Sequence, residues 1–299
     1  MPRHRALRCL AGRVCHRAEV GRSSGAGPWA SVGAGKVCGT SSATAADYGW
    51  IPSSFVFPLG LEVGYSLTLV RGVPPEEVLR VMGAEPAGVC RGADELFERQ
   101  EELVAEADEW DESFIAGVCA VPGEGGDWAL VLHFDGGIGM RPRFLETLSA
   151  RSRAVTHSSN GGKPIHTFDW YEDGELRTGF EWPTVRYGSA PDDLLPMMRE
   201  SGFDLREESD VDTYDRKAAV LALAERLTGV RLTEDLLDNS AYLLGHVPEE
   251  PAQEWTSVVI DLTDANGEGF HREVTREQVE HAMEHHRAER DRPLRLDEP

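Results

Sequence analysis

The sequence has no long apolar run. The longest, Ala218 to Ala224, is seven residues, against the roughly 18–20 that a membrane-spanning helix needs. Positive charge is also scarce: 30 Lys and Arg face 52 Asp and Glu, for a net charge of −22. A surface of that sign repels phosphate backbones and anionic headgroups, which excludes nucleic acid and membranes as main partners. Cysteine is sparse too, and three of the five (Cys9, Cys15 and Cys38) fall near the N-terminus. No C-x-x-C and no paired Cys/His spacing occurs, so neither a zinc ribbon nor a disulfide framework is expected. The two remaining thiols, Cys90 and Cys119, fit small buried groups in a reducing cytoplasm.

Motifs of covalent and nucleotide chemistry are missing as well. There is no G-x-S-x-G elbow to present a nucleophilic serine. Asp135-Gly136-Gly137-Ile138-Gly139 lacks the spacing of a dinucleotide loop and reads as a turn after a strand. Gly33-Ala34-Gly35-Lys36 is no P-loop, because Ala30 stands where the first glycine belongs and Val37 where Ser or Thr would hold magnesium. No cofactor is expected from any of these.

What is present is a 299-residue chain with 40% hydrophobic residues, enough for a sizeable core. Residues 1–46 stand apart, with seven basic side chains against Glu19 alone and no apolar periodicity. They read as disordered, or as an over-extended start whose true beginning lies near Val32, Val37 or Thr40. The remainder divides into an α+β core domain at 47–210, C-terminal helices and a β-hairpin at 211–286 packed on that core, and a polar tail at 287–299.

Periodicity supplies the elements. Tyr65–Val70 is β-rich, and Glu76–Met82 is a helix led in by Pro74-Pro75 with acids in its first turn. Asp94 to about Glu112 has the apolar spacing of a helix, with Leu96, Leu103, Ala107, Trp110 and Phe114 on one face and ten acids against Arg99 alone. Trp128, Leu130, Leu132 and Phe134 alternate with smaller residues, as in a half-buried strand. Asp173-Gly174 between two apolar runs signals a hairpin. Asp215–Thr228 is a helix ended by Gly229, and Thr233 caps a short helix after it. Thr275 with Gln278 forms a capping box for a final helix. Gly72–Met82 and Gly188–Met198 share a spacing, which two helix starts under the same capping rules explain better than a duplication does. The sum predicts an α+β fold: a mixed, mainly antiparallel sheet with helices packed on one side.

Several runs together carry a resemblance: Tyr65–Gly72 leading into Glu76–Arg80, Trp128–Gly139, Leu148-Ser149, Phe168–Glu181, Arg186-Tyr187-Gly188 with Pro191-Asp192, and Ala222 to Gly229. Over roughly 48–245 the chain resembles an actinobacterial family known only as a domain of unknown function. The resemblance implies no activity. Two positions depart from the pattern: Arg151 stands where a glycine is expected, and Gly161-Gly162 replaces a bulkier stretch.

Candidate chemistry is thin. Glu277, His281 and His285 follow one another at four-residue intervals, a spacing able to hold a divalent metal. Glu280, Glu284, Arg287 and Arg290 crowd the same turns, which favours a solvated charged face. His133, His157 and His166 read as half-buried structural histidines, and strand alternation sends His166 and Asp169 to opposite faces. Trp170, Trp182 and Arg186 are of the types that dominate interaction hot spots when exposed, and they are the candidate partner-binding residues. The expectation is a non-catalytic cytoplasmic protein-interaction or regulatory module with another protein as partner. The alternatives are a small-ligand-binding protein or a metal-dependent hydrolase using the histidines.

Overall fold

A computed structural model describes residues 41–106, 112–134, 139–161, 166–205, 213–250, 256–263, 269–279 and 281–282. Two 3-10 turns, Ala45–Tyr48 and Ile51–Ser53, lead into α1 (Val56–Val63) and β1 (Tyr65–Arg71). There follow α2 (Pro75–Val81), β2 (Glu85–Arg91), α3 (Gly92–Glu106), β3 (Phe114–Gly123), β4 (Gly126–His133), α4 (Pro142–Leu148) and β5 (Arg153–Ser159). Then come β6 (His166–Glu172), β7 (Glu175–Trp182), β8 (Val185–Tyr187), α5 (Leu195–Ser201), α6 (Thr213–Thr228), α7 (Glu234–Asn239) and β9 (Ala241–Val247). These elements lie in one compact unit, Gly33–Glu250. A second unit, Met1–Val32 with Pro251–Pro299, contains the antiparallel hairpin of β10 (Ser257–Thr263) and β11 (Gly269–Thr275).

The fold is α+β. Nine strands form one antiparallel sheet in the order β2-β9-β3-β4-β1-β5-β6-β7-β8. β9 is inserted between β2 and β3, pairing with both. Residues 213–250 therefore complete the core sheet, where the sequence suggested a boundary near 210. The N-terminal boundary moves as well. Residues 41–46, expected to be disordered, are fastened to α6: Ser41 Oγ donates to Glu225, and Arg226 Nε donates to the Ala43 carbonyl. The rest of the expected disordered segment, 1–40, and the tail at 287–299 lie outside the described residues.

Both long helices, α3 and α6, press one face of the sheet, where Leu67, Leu69, Leu130 and Leu132 meet Leu96 and Leu221. The other face carries the two short helices: Val78 and Leu79 of α2, and Phe144, Leu145 and Leu148 of α4, cover Val70, Ala129, Val131 and Ala154. β1 and β4 are consequently buried on both sides. The alternation from Trp128 to His133 is thus one of large against small residues, rather than the inside against outside of a half-buried strand.

Local chemistry explains most ends and turns. Asp173 and Gly174 have φ of 54° and 79°, the paired positive values that a two-residue hairpin turn requires. Thr233 Oγ1 accepts from the Leu236 amide, and Gly229 ends α6 at φ 68°. Thr275 and Gln278 exchange both bonds of a capping box. Arg151 lies at φ 61°, so the position where a glycine is expected does have left-handed backbone. Pro196 stands in the first turn of α5, where proline is tolerated, and kinks nothing. α3 is described as far as Glu106, residues 107–111 lie outside the described residues, and Phe114 opens β3.

Arg141 closes one end of the core. Its guanidinium donates to the carbonyls of Glu112 (2.7 Å) and Pro248 (2.9 Å), lies over the Phe114 ring, and faces Glu250. Replacing it by leucine leaves those carbonyls without their charged donor. Arg141→Leu is expected to cost about 1–3 kcal/mol, read as a lower urea midpoint with an unchanged slope. An unchanged midpoint would show the clamp to be energetically idle.

Candidate functional site

One end of the α6 side of the sheet gathers side chains that the sequence keeps far apart. The register places Tyr65 of β1 opposite Ser159 of β5, and Ser159 opposite His166 of β6. His157 lies two residues back on the same face, opposite Phe168. Phe168 in turn faces Phe180 of β7, and two residues beyond that pair are His166 and Trp182. Tyr65, His166 and Trp182 therefore lie in one row across the sheet through Ser159, with His157 in the adjacent row on the same face. Gly60 of α1 seats the first of them, because a Cβ there would overlap the Tyr65 ring.

The hydrogen bonds fix the imidazole of His157. Its Nδ1 is 3.0 Å from the Thr167 carbonyl, which can only accept, so Nδ1 carries the proton. Nε2 is then the acceptor for the Tyr65 hydroxyl at 3.0 Å. Burial holds His157 neutral and pulls its pKa down to about 3, with the neighbouring His166 acting in the same direction. His166 is only 4% exposed and neither ring nitrogen has a hydrogen-bond partner. Burial first, then the charges of Lys217 and Arg216, lower its pKa to about 4.

Helix α6 supplies both cations. Lys217 is 1% exposed, and its ammonium lies 5.5 Å from the centre of the Tyr65 ring. Burial lowers its pKa to about 8. Arg216 places its guanidinium 4.3 Å over the ring of Trp182, which is 44% exposed. Burial lowers the Arg216 pKa, and Glu181 opposes that shift.

Beside Arg216 is a cavity of about 540 Å³. Its walls are the 45–52 strap, Gly202–Asp204 after α5, Pro183, and Arg216, Ala218 and Ala219 of α6. The strap is fixed rather than loose. Tyr48 Oη donates to Glu225 at 2.8 Å, and Arg226 joins the Ala43 carbonyl, just before the strap, to Glu200 of α5. Apolar walls (Ala45, Tyr48, Ile51, Pro52 and Phe203) with two charged lining residues, Arg216 and Asp204, have the make-up of a small-molecule site of ordinary size.

The residues singled out from sequence are dispersed. Trp170 is buried at 1% exposure in the cluster under α5 and α6, among Phe168, Phe180 and Leu223. Arg186 donates twice to Asp192 and once to the Pro183 carbonyl. Trp182 is exposed and Arg186 half-buried, and Arg216 rather than Arg186 lies over the Trp182 ring. Glu277 and His281 are exposed, and His285 lies outside the described residues. Among the described residues, no three His, Cys, Asp or Glu side chains are grouped to hold a metal ion. His166 and Asp169 do take opposite faces of β6, and Asp169 accepts instead from the Tyr187 hydroxyl at 3.0 Å. His133 is stacked on Phe114, away from the other two histidines.

The family model described as "Family of unknown function (DUF6461)" matches residues 41–252. The chain belongs to this family. The DUF6461 match begins at the strap and ends just past β9, so it takes in the whole sheet and every wall of the cavity. No curated protein and no solved structure matches the chain. Within the DUF6461 domain, the residues that sequence reading missed are Arg216 and Lys217. They precede the apolar run of α6, where a basic pair looks like an ordinary solvated helix start. Only the crossing of α6 over β1, β5, β6 and β7 puts them beside an indole and a phenol.

Proposed function

We propose that the DUF6461 domain is a non-catalytic small-molecule-binding module whose ligand occupies the cavity between the 45–52 strap and α6. The observation that carries this reading is the cavity itself: about 540 Å³, apolar-walled, with the Arg216–Trp182 pair at its side. Both walls are tied to α6, so the space is formed in advance and a ligand need not order it. Among the described residues no convergent catalytic set accompanies it, since His157, His166 and Lys217 are buried at the sheet end. We place the protein in the cytoplasm, on the two free buried thiols among the described residues and on its acidic charge, and relate it to actinobacterial members of the family. No helix is long and apolar enough to cross a membrane among the described residues.

A protein-interaction role is supported by a different observation, the exposure of Trp182 and Val185 at the β8 edge of the sheet. The two readings separate in one experiment. Ala46 is exposed on the strap and lines the cavity, so Ala46→Trp fills the space without touching the core. A thermal-shift screen of small metabolites is expected to raise the melting temperature of the natural sequence for one chemical group of compounds and to leave Ala46→Trp unmoved. Equal shifts in both proteins would contradict binding in the cavity.

A further inference from the structure

We infer that the ligand of this cavity is an anion, a small molecule whose carboxylate or phosphate is held by Arg216. The inference rests on the small-molecule reading above and names its chemistry. Among the described residues that line the cavity, Arg216 is the one cation. With its Cζ 4.3 Å over the Trp182 ring, the Arg216 guanidinium is held in place by the indole and can meet an oxyanion through its N–H donors. The apolar walls then receive the rest of the ligand.

A second observation lies beneath it. His166 is buried with both ring nitrogens lacking a hydrogen-bond partner, at the sheet position next to the indole that carries Arg216. The groups facing it are Lys217 and Arg216 from α6 and His157 from β5, each a base, and its charged influences are those two cations. His157 and His166 are neutral there and Lys217 has an interaction of its own, so the charge an anion would meet at the cavity is that of Arg216. Two carboxylates belong in the account. Glu181 acts on Arg216 from β7, and Asp204 lines the cavity with an interaction of its own.

Because an anion favours the protonated imidazole, binding is expected to be coupled to proton uptake at His166 and to tighten as the pH falls. The test uses three probes of one shape: benzoate, phenyl phosphate and the neutral benzamide, titrated calorimetrically into the whole chain. The two anions are expected to bind at least about tenfold more tightly than benzamide, with Arg216→Gln removing that advantage and Arg216→Lys restoring part of it. Comparing benzoate with phenyl phosphate tells a carboxylate site from a phosphate site. His166→Gln is expected to flatten the pH dependence of binding while keeping the anion preference. Benzamide binding as tightly as benzoate, or an Arg216→Gln variant of unchanged melting temperature and unchanged anion affinity, would overturn the inference and leave the small-molecule reading standing. If no probe and no screened metabolite binds, the reading falls and the inference falls with it.

Discussion

Unfolding midpoints in urea are expected to fall as the pH drops from about 6.5 toward 4, and His166→Leu is expected to remove most of that slope. The sign follows from proton counts. His157 and His166 have folded pKa values depressed to about 3 and about 4, below the ordinary histidine value of 6.5. Between those limits the unfolded chain binds both protons and the folded chain binds neither, so stability is present above 6.5 and is lost on acidification. Asp169 opposes this: burial raises it from 3.8 to about 6, so the folded chain holds one proton that the unfolded chain releases. The balance between about pH 6 and 4 is one excess proton on unfolding, a slope of about 1.4 kcal/mol per pH unit. Removing the His166 imidazole cancels that excess and should leave the curve nearly flat over this range. A slope identical to that of the natural sequence would show that His166 protonates freely in the folded protein.

The two tryptophans of the expected partner patch should differ sharply. Trp170 is enclosed between the sheet and α6, with the guanidinium groups of Arg153 and Arg177 5.7 and 6.0 Å from its ring. Trp170→Ala is expected to cost about 3–5 kcal/mol, the range for emptying a large aromatic site in a core. Trp182→Ala loses only an indole at the surface and its cation–π contact, about 1 kcal/mol. Its consequence should be functional, because Arg216 loses the ring over which it is held. Thermal melts of the two variants, followed by benzoate titration of Trp182→Ala, read both effects. Similar losses of stability would contradict the burial described for these two side chains.

That difference shows where sequence reading stops. Trp170 and Trp182 share a sheet face at even spacing, and periodicity cannot say that α6 covers one and only borders the other. Signals confined to a few neighbouring residues translate directly into structure: the Asp173-Gly174 turn, the Thr233 cap, the Thr275–Gln278 box. Each is a local hydrogen bond or a local φ requirement, so no distant contact overrides it. The place of β9 between β2 and β3 is of the other kind. Nothing near 241–247 announces which strands it joins, since register across a sheet is chosen by the assembled core. The site fails to show for the same reason. Tyr65, His157, His166, Trp182 and Arg216 span more than half the chain, and each alone resembles an ordinary strand or helix residue.

The most direct test of the cavity as a binding site is an amide NMR titration of the isotopically labelled chain with phenyl phosphate. The expected result is a set of saturable shifts confined to the strap residues 45–51, Gly202 to Asp204 and Arg216 to Ala219, absent in Ala46→Trp. Shifts concentrated at the β2 or β8 edge of the sheet, with the strap and α6 unmoved, would contradict the account.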